Sequence, residues 1–194
     1  MKEKAAKMIR IITVPPFLAF VMLGILYRQL GFIIGTPPDI IVSMGCLTVL
    51  PACAYPISQI KSEFRNDQRE YQRKMAFIMN LCGYLTAVIY GTVKGVSGAL
   101  MWIFVSYLTA AIVLTIINRG FRIRASGHAC SCVLPYLILC YFFGGKSIAA
   151  CLILYLIEFW ASVYLKRHTI SEFLTGSAVA VVVFGFTGLL FGFC

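Results

Sequence analysis

The chain holds only two histidines, His128 and His168, and each sits where an imidazole could work on an anion. Four residues after His168 comes Glu172, which a helix would set on the same face one turn onward. A carboxylate there can accept the Nδ1 proton and leave Nε2 as a nucleophile, or the two can form an ordinary interfacial pair. His128 follows Ser126 and Gly127 at the head of an apolar run. A helix starting there would offer unpaired amides, a hydroxyl and the positive end of its dipole, which together draw in negative charge. Arg122 and Arg124, just upstream, add fixed cations.

These residues need elements to position them, and the composition says which kind. Of the 194 residues 60% are hydrophobic and 12% charged, with a mean hydropathy of +0.89, so lipid is the main solvent. Apolar segments long enough to cross a bilayer can be drawn at 11–28, 39–60, 75–93, 98–117, 127–144, 147–165 and 169–193. The reading is an all-α, polytopic transmembrane bundle of about seven spans, or six if the weakest is not one, in a single domain over 1–194. Pro15 and Pro16 in the first segment and Pro51 and Pro56 in the second predict kinks. The first segment is expected to stay in the mature protein, because "LYRQLGF" offers no small-residue cleavage pattern.

Placing the N-terminus inside puts only Arg28, Lys94 and Lys146 outside and the other fourteen of the 17 basic residues on the cytoplasmic face. That asymmetry predicts an N-in, C-out topology in the cell membrane. Parity then brings the starts of the fifth and seventh spans, and with them both histidines, to one surface. The net charge of +10 is read as this topology signal, and no nucleic-acid partner is expected. Most of the eight cysteines fall in apolar stretches and read as packing. Cys130 and Cys132 lie near His128, but C-x-C with one histidine lacks the ligand spacing of a zinc site, so neither metal nor cofactor is expected.

"ASGH" (Ala125 to His128) and "VYLKRHTISEFLTG" (Val163 to Gly176) resemble two signature motifs of the type 2 phosphatidic acid phosphatase superfamily, P-S-G-H and S-R-x5-H-x3-D. The resemblance is clearest over about 115–180. It implies that His168 attacks phosphorus to give a phosphohistidine, and that His128 protonates the leaving oxygen and later activates water. It further implies that Glu172 stands in for the orienting aspartate, and that Ser126 and the Gly127 amide hold phosphate oxygens. Such phosphoryl transfer rests on in-line positioning and charge neutralisation and requires no metal.

Three positions depart from the family pattern. Ala161-Ser162 stands where the family has Ser-Arg, Ala125 replaces the proline, and the first motif, K-x6-R-P, has no clean match. A hydroxyl does not replace the bidentate fork of a guanidinium. The loop of residues 61–74 is a natural source of other cations, with Arg65, Arg69 and Arg73 at four-residue intervals. Asp67, Arg69, Arg73 and Arg124 resemble an R-x3-R cluster and a basic position found in a divergent branch of the superfamily. The same loop also reads as a solvated segment that only fixes topology.

The expected activity is hydrolysis of a lipid phosphate or diphosphate at the cytoplasmic face, with His168, His128 and Glu172 catalytic and Ser126, Gly127, Arg124, Arg122, Arg69 and Arg73 binding phosphate. The alternative is a non-catalytic member that binds an anionic lipid or serves as a partner subunit. A transporter would place more polar groups near the midplane than Glu158, Asn80 and the prolines supply. Glu158 reads as a tie between helices, and Trp102 and Trp160 as interfacial anchors.

Overall fold

The computed structural model describes residues 1–60, 68–121 and 124–193, without the side chains of 60 and 68–70. Lys61, Arg65, Asp67 and Arg122 therefore lie outside the described residues, as does the side chain of Arg69. Eight helices and no strands are found among the described residues: α1 Lys2–Ile12, α2 Pro15–Leu30, α3 Pro37–Gln59, α4 Gln68–Lys94, α5 Gly98–Thr115, α6 Gly127–Phe143, α7 Gly145–Tyr164 and α8 Ile170–Phe191. Among the described residues six segments, five of them α2, α3, α5, α7 and α8 and the sixth the Tyr71–Lys94 part of α4, are long and apolar enough to cross a membrane. The apolar α6, at 17 residues, is shorter and reaches about 25 Å at 1.5 Å per residue.

The first expected span, 11–28, is corrected at its start. Thr13 caps the C-terminus of α1, and Pro15 occupies the first turn of α2, where its missing N–H costs nothing. The two prolines thus begin a helix and do not kink one. The residues before them form α1, an amphipathic helix that packs along α7. In α3 the expected irregularity is present: a π-helical stretch at Gly45–Val49 precedes Pro51, and the helix breaks at Cys53 before Pro56. Gly83 of α4 lies against this stretch so closely that a Cβ there would stand 2.1 Å from the Cys46 carbonyl oxygen.

Met22, Leu23 and Leu26 of α2, Leu100, Ile103 and Phe104 of α5, and Leu134 and Ile138 of α6 are fully buried in one core with Ala180 and Val183 of α8. Outward, Ile153 and Leu156 of α7 and Val182 and Leu189 of α8 are exposed, as lipid-facing positions should be. Trp102 departs from the interfacial reading. It is wholly buried against Tyr141, Phe142, Phe184 and Phe193, and its Nε1 donates to Thr187 Oγ1 at 3.1 Å. Ser106 Oγ lies 2.7 Å from the same hydroxyl, which ties α5 to α8 by polar contacts inside the apolar core. Trp160 is 40% exposed and stacks on Tyr164.

Candidate active site

The site forms where the starts of α6 and α8 meet the end of α7. Ser126 is the N-cap of α6: its Oγ accepts from the Ala129 amide at 3.1 Å, and its own N–H donates to the Glu172 carbonyl at 2.9 Å. This backbone bond joins the two motif segments directly. Gly176, one turn further along α8, makes the approach feasible, since a Cβ there would lie 2.2 Å from the Ser126 carbonyl oxygen. Asn118 fixes the other side of the loop. Its Oδ1 accepts from the Ala125 N–H at 2.8 Å, and its Nδ2 donates to the Ala125 carbonyl at 3.2 Å.

Ser126 is 2% exposed, and its hydroxyl oxygen is engaged as a cap. The amides of Gly127 and His128 occupy the first turn, where an α-helix supplies no acceptor. Gly127 itself is exposed. The α6 terminus therefore keeps an anion-attracting end through its backbone.

Each histidine has its own carboxylate. His168 Nδ1 lies 3.5 Å from Glu172 Oε2, but that oxygen also accepts from the Thr169 amide at 3.2 Å, and Thr169 Oγ1 accepts from the Glu172 amide. Glu172 is thus the N3 member of a capping box that starts α8, and His168 shares its oxygen at longer range. His128 Nε2 lies 3.0 Å from Glu158 Oε1, with Glu158 wholly buried on α7. The two atoms lie within ion-pair distance, and neither has a hydrogen-bond partner among the described residues. Tyr136 donates to the other oxygen, Oε2, at 3.4 Å. Glu158 thus ties α7 to α6 through the histidine and the tyrosine, in line with its reading as a tie between helices, although these partners were not foreseen.

Arg10 is a site residue that the sequence reading took only as a topology signal. From α1 its Nη1 donates to Ser162 Oγ at 3.0 Å, across 152 residues of chain. Ser162 is fully buried and is the position where the family pattern carries arginine. Burial pushes the Arg10 guanidinium below its ordinary value, as does the charge of Arg167, while Cys132, Glu158 and Tyr55 oppose the shift. It nevertheless stays cationic at neutral pH.

After α7 the chain turns through Lys166, which has a φ of 50°, and the Arg167 amide donates back to the Ser162 carbonyl at 3.1 Å. His168 is held neutral: burial above all, then the charges of His128, Arg10 and Arg73, push its imidazole down to about 4, with Glu172 opposing. Arg73, exposed on α4, is thereby electrostatically coupled to the site. Arg124 is exposed, with no contact to either histidine among the described residues.

A groove of about 980 Å³ opens beside these residues. Lys7, Arg10, His128 and Arg167 line its polar end, and Phe17, Phe20 and Val49 are among the side chains along its apolar wall. His168, Ser126 and Glu172 are outside its lining. Comparison of the chain with protein-family models, curated proteins and solved structures gave no match.

Proposed function

We propose that the chain is a metal-independent membrane phosphatase that hydrolyses a lipid phosphate or diphosphate through a phosphohistidine at His168. The observation that carries this reading is Arg10 on Ser162. A guanidinium supplied from α1 stands at the position where the resemblance lacks one, beside a neutral His168 and a carboxylate-paired His128. The groove's form supports a lipid substrate: an acyl or prenyl chain fits the wall of Phe17, Phe20 and Val49, and a phosphate the cationic end.

In this mechanism Arg10, Arg167 and the first-turn amides of α6 neutralise the non-bridging oxygens. Neutral His168 attacks phosphorus through Nε2, and the P–O bond to the lipid breaks. His128 delivers the proton to the leaving oxygen. With Nε2 facing Glu158, Nδ1 is the nitrogen left for this exchange, and the buried carboxylate holds the ring in place. Water then attacks the phosphohistidine, with His128 taking its proton, and inorganic phosphate leaves. Charge asymmetry favours the cytoplasmic face for the site.

A second reading is a non-catalytic anionic-lipid binder, favoured by the absence of His168 from the groove lining. Phosphate release from a panel of lipid phosphates in a chelator separates the two. The phosphatase reading expects turnover by the parent and its loss in His168→Ala and His128→Ala. An inert parent that still binds lipid phosphate through Arg10 would support the second reading.

A further inference from the structure

We propose that His128, Cys132 and Glu158 form a binding site for a thiophilic divalent cation of the Zn²⁺ class. Their ligand atoms all lie within 4.8 Å of one another, and His128 Nε2 and Glu158 Oε1 are already 3.0 Å apart. Tetrahedral zinc with N, S and O donors spaces its ligands about 3.3–3.7 Å apart, so the longest separation must close by about 1 Å and the His128–Glu158 pair open by about 0.3 Å. The α6 helix supplies two donors at i and i+4, and the neighbouring α7 supplies the third across the hairpin.

Independent support comes from the two polar atoms themselves. His128 Nε2 and Glu158 Oε1 are buried, face each other at 3.0 Å and have no hydrogen-bond partner among the described residues, a state that a shared cation would relieve. Charge agrees as well: a thiolate and a carboxylate together neutralise a dication in a site where Cys132 and Glu158 are both fully buried. Tyr136 on Glu158 Oε2 would orient the carboxylate from outside. Cys132 Sγ donates to the Thr13 carbonyl at 3.3 Å, and metal binding would release that thiol proton to solvent. Arg10, the competing cation, directs Nη1 at Ser162 instead.

Three protein ligands leave a fourth coordination position for water. A consequence follows that rests on the phosphatase reading. Metal on Nε2 prevents His128 from forming the imidazolium that protonates the leaving group, so occupancy suppresses turnover and chelation restores it.

The test is titration of Co²⁺, an optical surrogate for Zn²⁺, into the purified full-length protein in detergent after chelator treatment. A thiolate-to-cobalt charge-transfer band saturating at about one ion per chain, displaced by Zn²⁺, is expected. It should vanish in Cys132→Ser, survive in Cys82→Ala, and need at least about tenfold more metal in Glu158→Gln. No band in the parent, a band persisting in Cys132→Ser, or unchanged affinity in Glu158→Gln overturns the site. In the activity arm, full occupancy without inhibition would leave the site standing and overturn the assignment of His128 as proton donor.

Discussion

Arg10 Nη1 and Ser162 Oγ are 3.0 Å apart, although one lies in the N-terminal helix and the other near the end of α7. The side chain reaches the buried Ser162 from the N-terminal helix, so a cation stands at that position although the local sequence supplies none. Removing the guanidinium in Arg10→Ala should lower kcat/KM by about 10²-fold, the usual loss for one donor to a developing phosphate charge. The double variant Arg10→Ala, Ser162→Arg should recover much of that loss. Kinetics on detergent-solubilised protein decide; no recovery, with the fold retained, would mean that Arg10 acts elsewhere.

Gly176 tests the joint between the two motif segments. Gly176→Ala drives a methyl toward the Ser126 carbonyl and should cost roughly 1–3 kcal/mol of stability as well as activity. Gly24→Ala is the control, because a Cβ there meets nothing within 4 Å. Thermal unfolding in detergent should show a fall for the first and little change for the second.

Acid should act through His168. Its folded value of about 4 lies below the ordinary 6.5, so between these limits the unfolded chain binds more protons. Stability is therefore fully present above about pH 6.5 and declines toward pH 4, by at most about 1.4 kcal/mol per pH unit from this group. His168→Gln should flatten that slope. Denaturation midpoints across the window measure it, and an equally steep slope in the variant would assign it to other groups.

Glu158→Gln leaves a side chain of the same shape beside His128 but removes the carboxylate 3.0 Å from its Nε2. Turnover should fall by about 10²-fold with little change in KM, because proton delivery and not lipid binding is impaired. A change confined to KM would place Glu158 in binding.

The sequence made the local features legible. Long apolar runs identified the spans of α2, α3, α5, α7 and α8, and the parity of a helical hairpin put His128 and His168 near one another, which the Ser126–Glu172 backbone bond now makes concrete. Thr169 with Glu172 was readable as an i,i+3 pair, yet the capping role was obscured by the i,i+4 spacing from His168. Contacts across long separations were not legible. Nothing local marks Arg10 as the partner of Ser162, and its place in a basic amphipathic stretch looks like a topology signal. Glu158 was legible as a tie between helices, but its partners, His128 and Tyr136, emerge only when α7 packs on α6. Trp102 misled because position near a helix end says nothing about which neighbours cover it, here Tyr141 and Phe193.

The most direct measurement is trapping of the phosphoenzyme. Parent, His168→Ala and His128→Ala proteins are incubated in a chelator with lipid phosphate radiolabelled on phosphorus, quenched in alkali, and the protein-bound label counted. The account predicts an alkali-stable, acid-labile label on the parent, label that forms and decays more slowly on His128→Ala, which loses both leaving-group protonation and water activation, and none on His168→Ala. Phosphate release without any protein-bound label, or label that persists in His168→Ala, would contradict it.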